Sequence, residues 1–122
     1  MKREEQDRLD VLRDRLRGFV RDRDWEQFHS PKNLAMAMIV EAAELVEHFQ
    51  WLTEHQSREI LPEKREQVAQ EIADTFIYLL RMADVLGVDL IEAAHAKMDI
   101  NAKKYPADKV RGSNAKYTEY ED

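Results

Sequence analysis

The chain is poor in residues that break regular structure. Only three glycines and three prolines occur in 122 residues, too few for the tight turns that many short strands require. Four of the six read as punctuation between helices. Ser30-Pro31 is an N-cap followed by a first helical residue, Pro62 is a second helix start, Gly87 a helix stop, and Tyr105-Pro106 a further stop. Four helical segments follow. The first spans about 4–24, with Leu9, Leu12, Leu16, Phe19 and Val20 at helical spacing. After a link from Trp25 to Ser30, the second runs from Pro31 to about Leu52, with Leu34, Met38, Leu45, Phe49 and Leu52 along one side. A polar connection leads to the third, Pro62 to about Leu86. Asp89 caps the fourth, which reaches about Lys104. Residues 107–122 lack periodicity and are expected as an extended tail. This predicts one all-α, four-helix-type bundle domain over 1–106.

The third segment is apolar on more than one side: Ile72, Phe76 and Leu79 on one, Ile77 and Leu80 towards another. A helix apolar over most of its circumference must be buried over most of it. So small a chain offers too little surface to do that alone, so helices shared within an oligomer are expected.

Composition narrows the function classes. There is no cysteine, which excludes disulfides, thiol catalysis and thiolate metal sites. No apolar run is long enough to cross a membrane, and the start, MKREEQDRLD, is charged, so neither membrane nor leader is expected and a cytoplasmic location is. A net charge of −6 disfavours stable nucleic-acid binding. Basic residues nevertheless gather late, where Lys97, Lys103, Lys104, Lys109, Arg111 and Lys116 outnumber Asp99 and Asp108. Such a cluster can meet a small polyanion or be ordinary solvated surface.

Two acid pairs carry the chemical signal. Glu41 and Glu44 lie three apart on the second segment, Glu71 and Asp74 three apart on the third, so each pair projects side by side. At about 100° per residue, Leu34, Leu45 and Leu52 lie within roughly 40° of Glu41, and Met82 lies roughly 20° from Glu71. Both pairs therefore border apolar stripes. Carboxylates at the rim of a core are costly unless neutralised. If the two helices pack antiparallel, the four converge, and oxygen-only ligation suits Mg²⁺, with Mn²⁺ a substitute. Such spacings also arise by chance on solvated helix faces.

Trp51 and Tyr78 extend the acid stripes and are placed to stack on a base near a metal-held phosphate, or else to serve as core aromatics. Lys97, Asn101 and Lys104 form one ridge of the fourth segment, suited to phosphate oxygens or to snorkelling at the surface. Trp25 and His29 flank the entry to the second segment, where a lone histidine is commonly a loop or capping residue. Glu47 is an outer acceptor, a base or a surface acid.

The blocks EAAELVEHFQW and EIADTFIYLLRMADVLGVDL resemble the ExxE…ExxD signature of the MazG-like all-α nucleotide pyrophosphohydrolases. RDWEQFHSPKNL before them, with KMDINAKKYP and KYTEY after, point to the dCTP pyrophosphatase branch, and the likeness covers roughly Phe19 to Tyr120. It implies a homotetramer, a dimer of dimers with sites built between subunits, and Mg²⁺ held by Glu41, Glu44, Glu71 and Asp74. It implies a nucleoside pocket lined by Trp25, His29, Trp51 and Tyr78, with Lys97, Asn101, Lys104 and Tyr105 on the phosphate or pocket side. Relatives of the dCTP type can carry a histidine where Leu16 aligns, and losing a polar group there alters base choice.

The expected activity is Mg²⁺-dependent hydrolysis of nucleoside triphosphates, dCTP or related pyrimidine nucleotides, to the monophosphate and pyrophosphate, with Glu44 or Glu47 taking the proton. The alternative is a non-catalytic helical oligomerisation module with surface acidic pairs. A di-iron or di-manganese bundle is disfavoured, because neither Glu44 nor Glu71 has a histidine three residues later.

Overall fold

In a computed structural model of the chain, residues 2–113 are described, with side chains from Arg8 onward. The described residues are helical with no strand, as the distribution of glycine and proline requires. The helices are α1 (Lys2–Asp22), α2 (Pro31–Glu47), α3 (Glu54–Arg58), α4 (Pro62–Leu86), α5 (Leu90–Lys104) and α6 (Ala107–Val110), with a 3-10 turn at Glu26–Phe28. They fall into two compact units, residues 1–88 and 89–122.

Helix ends in the first unit follow local chemistry. The Ser30 side chain accepts from the Asn33 N–H at 3.1 Å, with Pro31 at the first helical position. Gly87 (φ 69°) closes α4 in the left-handed conformation, and the Val88 N–H donates to Ala83 C=O. At the end of α1 the same closure is made without glycine. Asp24 takes φ 54°, and the Trp25 N–H reaches back to Val20 C=O at 3.0 Å. Aspartate is among the few side chains that tolerate this region. The reversal sets Trp25 edge-on to Phe19, ring centroids 5.8 Å apart, while the Arg23 guanidinium covers the Phe19 ring.

Three features differ from the sequence expectation. The second helix ends at Glu47, not near Leu52, because residues 48–52 wind into successive turns (Phe49 and Gln50 N–H both to Val46 C=O). The connection that follows contains α3, started by a capping box in which Thr53 and Gln56 exchange side-chain and backbone bonds. This is the Thr-x-x-Gln pattern of a helix start. Within the expected tail, Ala107–Val110 forms a helical turn after Pro106, whose C=O accepts from the Lys109 and Val110 N–H groups. Residues 114–122 lie outside the described residues.

The principal packing is α2 against α4, with α1 also on α4. Leu45 and Phe49 share a groove with Val68 and Ile72, while His29, just before α2, reaches Arg81. Partners thus rise along one helix as they fall along the other, so the two run antiparallel. Val20, Leu34, Val68, Leu80 and Ala83 are buried. Arg17 on α1 forks onto Asp84 of α4, Nε to Oδ2 at 2.7 Å and Nη2 to Oδ1, and Arg81 lies 3.6 Å from the same carboxylate. These guanidinium groups hold Asp84 below its ordinary value. Of the two apolar sides of α4, Leu80 is buried and Ile77 half-buried, but Ile72, Phe76 and Leu79 are exposed, as are Met36, Ile39 and Val40 on α2. In the second unit, the Asp89 side chain caps α5 by accepting from the Glu92 N–H at 3.0 Å.

Leu34→Ala should cost about 2–4 kcal/mol, the usual range for emptying a fully buried leucine site, read as a lower urea midpoint at unchanged slope. Asp84→Asn should lower Tm at pH 7. A depressed carboxylate stabilises fully above its unfolded pKa of about 3.9 and loses that contribution as pH falls through the folded value. The Tm gap between wild type and Asp84→Asn should therefore close in strong acid.

Candidate active site

Antiparallel packing brings the two acid pairs together. Oxygens of Glu41, Glu44 and Glu71 all lie within 4.8 Å of one another, and all three residues are half-buried. Asp74 lies outside this tight group and is exposed, yet its charge is felt by both Glu41 and Glu71. Loss of solvent raises Glu41 above its usual range, reinforced by Glu44, Asp74 and Glu71. Glu71 is raised in the same way, first by burial and then by Glu44, with His48 acting in the opposite sense.

Glu71 Oε2 is buried and has no hydrogen-bond partner. A buried acceptor left without a donor costs roughly 1–3 kcal/mol, more when charged, so this oxygen marks a place for a positive ligand. Two oxygens on one small hard cation stand roughly 3–4 Å apart at metal–oxygen distances of about 2.1 Å, a separation within the span of the cluster. The donor set, carboxylate oxygen alone, suits such a divalent cation.

Beside the acids opens a cavity of about 420 Å³, floored by Asp74, Ile77, Tyr78 and Arg81 of α4. Its other walls are Leu12, Arg15, Leu16, Phe19 and Val20 of α1, with Trp25 and His29 from the link. Trp25, His29 and Tyr78, singled out from the sequence, therefore meet around one space that begins at an acid. Leu16 faces the same space. Arg81 Nε donates to His29 Nδ1 at 3.1 Å; burial, then the Arg81 charge, lowers the His29 pKa.

Trp51 does not line this cavity. Because α2 stops at Glu47, the indole sits in the following turns, 86% exposed, bordering a groove with Glu47, His48 and Lys64. Lys97, Asn101 and Lys104 lie on α5, and Tyr105 is its C-cap, its N–H donating to Asn101 C=O at 2.8 Å. They belong to the second unit.

Sequence reasoning missed His48, Arg15 and Arg81. His48 Nε2 lies 3.9 Å from Glu71 Oε1, and its signal was available: it sits four residues after Glu44, on the same ridge. Arg81 and Arg15 carried no such signal, since the cavity they line forms only when α1 packs on α4.

Residues 36–120 match the model of the MazG-like family. The chain belongs to the MazG-like family. It is 45% identical over 103 residues to dCTP pyrophosphatase 1 of Homo sapiens, and 44% identical to that of Mus musculus. These alignments cover 83% of this chain and 61% of each relative, so the chain spans about three-fifths of the length of these curated relatives. A crystal structure of a pyrophosphatase from Archaeoglobus fulgidus superposes with a TM-score of 0.78 at 43% identity, covering 81% of this chain and 93% of that one. The family resemblance read from the ExxE…ExxD blocks is thereby borne out.

The raised carboxylates make a stability prediction. An acid whose folded pKa is raised destabilises the fold above that pKa and is neutral in effect below its unfolded value of about 4.3. In metal-free protein, Glu71→Gln should raise Tm at pH 8 and change it little at pH 4. The same substitution should diminish the Tm rise produced by millimolar divalent cation in the wild type.

Proposed function

We propose that the protein is a Mg²⁺-dependent nucleoside triphosphate pyrophosphohydrolase, releasing pyrophosphate and the monophosphate from dCTP or a related pyrimidine nucleotide. The observation that carries this reading is the glutamate cluster, with its buried unpartnered oxygen, set next to an aromatic cavity that starts at Asp74. The curated relatives support it by their activity on dCTP. A base fits among Trp25, Tyr78 and His29, leaving the phosphates to extend past Asp74 towards the glutamates.

In this reading Glu41, Glu44, Glu71 and Asp74 hold the cation, with Mn²⁺ a substitute. A cation held there would neutralise phosphate charge and acidify the attacking water. A carboxylate oxygen not engaged by the cation, on Glu44 or Glu47, accepts the water's proton; Glu44 lies within the cluster and Glu47 borders the Trp51 groove. Lys97, Asn101, Lys104 and Tyr105 are assigned to the phosphate side, where ammonium groups stabilise leaving pyrophosphate.

Residues 1–106 are taken as the catalytic domain, acting in the cytoplasm on the nucleotide pool. Among the described residues, no helix is long and apolar enough to cross a membrane. A homotetramer, a dimer of dimers, is part of the same proposal. The exposed ridge of Ile72, Phe76 and Leu79, with Met36, Ile39 and Val40, supports a self-association face, and the exposed Trp51 ring would then belong to a site completed by another copy.

A panel of canonical and modified triphosphates with Mg²⁺, scored for pyrophosphate, tests this reading. Turnover is expected for pyrimidine deoxynucleotides. Glu41→Gln and Asp74→Asn should each lower kcat at least about a hundredfold, the scale of losing a transition-state charge stabiliser, with helicity intact by circular dichroism. Full activity in either variant, or no turnover of any nucleotide, would overturn it.

A further inference from the structure

Beyond the aromatic rings, the cavity wall carries three nitrogen-bearing side chains: Arg15, His29 and Arg81. One contact between them has a fixed polarity. Arg81 Nε lies 3.1 Å from His29 Nδ1. Guanidinium nitrogens donate and never accept, so Nδ1 must be the bare nitrogen, and the neutral ring carries its proton on Nε2. Among the described residues nothing accepts from Nε2.

The arrangement is held from both ends. Arg81, with only 12% of its side chain exposed, lies 3.6 Å from Asp84 Oδ2, and Asp84 is forked in turn by Arg17 of α1. On the other side, the His29 N–H donates to Glu26 C=O, closing the 3-10 turn, and Ser30 opens α2 directly afterwards. Asn33 Nδ2 ties that turn to the helix by donating to Phe28 C=O at 3.0 Å. The imidazole is thus fixed through its backbone and through one ring nitrogen. Its lowered pKa agrees with a neutral ring.

We propose that Arg81 is a positioning residue that fixes His29 as the Nε2–H tautomer, so that the cavity offers a hydrogen-bond donor to an in-plane acceptor, a ring nitrogen or carbonyl of a heteroaromatic base. The ligand class rests on the nucleotide reading above, whereas the tautomer and its cause do not. A base presenting an amino group at that point meets a donor with a donor, leaves both unpaired, and is disfavoured; recognition of this kind discriminates more sharply than apolar contact.

The test uses the full chain without metal. Long-range proton–nitrogen spectra of wild type at pH 7 should show His29 with a bare Nδ1 and a protonated Nε2. A ring protonated on Nδ1, alone or together with Nε2, overturns the proposal without any variant. Titration with deoxycytidine monophosphate then gives Kd for wild type, Arg81→Met, His29→Ala and the double variant. Arg81→Met should weaken binding about fivefold, the scale of one neutral hydrogen bond, and should add little in the His29→Ala background. Additive losses would mean that Arg81 acts on the ligand directly, and an unchanged Kd in Arg81→Met, or no binding to wild type, would equally overturn the inference. Absence of triphosphate turnover would count against the enzyme reading alone, since neither measurement depends on catalysis.

Discussion

Glutamate oxygens from two antiparallel helices lie within 4.8 Å of one another at the edge of a core. Water is partly excluded there, and burial is the largest contribution pushing both Glu41 and Glu71 upward, ahead of their mutual repulsion. Such an arrangement opposes folding unless a cation offsets it. The packing of α2 on α4 must therefore supply enough apolar contact to hold these acids in place before any ligand arrives. Much of what the two helices do besides, including leaving Glu71 Oε2 without a donor, follows from that tension.

The aromatic cavity is a second consequence of the same frame. α4 supplies Glu71 to the acid cluster and, three residues further on, Asp74 to the floor of the cavity, so one helix serves both. α1 closes the other side, and the Arg17–Asp84 fork fixes α1 on α4 at the level of the cavity. The turn at Asp24 then delivers Trp25 to its rim. Charged contacts of this kind contribute orientation more than stability when one partner remains half-exposed, as Arg17 does.

Much of the fold was legible because it depends on local rules. Ser30-Pro31, Pro62, Gly87 and Asp89 mark helix ends through backbone chemistry that acts over three or four residues, and each marks one in the structure. The early end of α2 was less legible, since residues 48–52 retain an apolar pattern compatible with another helical turn. Trp51 lies in those turns and not on the helix. The Thr53–Gln56 box was readable but lay within a segment taken as a plain connection.

What the amino-acid order determined by itself was periodic: which residues share a helix face, hence the pairing of Glu41 with Glu44 and of Glu71 with Asp74, and the doubled apolar surface of α4. Periodicity acts along one helix and carries no information about the rotation of one helix against another. Only the tertiary structure decided that three glutamates approach closely while Asp74 stands aside, that Trp25, His29 and Tyr78 enclose one space, and that Arg81 rather than solvent meets His29. Those outcomes depend on interhelical packing between residues up to 67 positions apart, where side-chain shape and charge across the interface set the register.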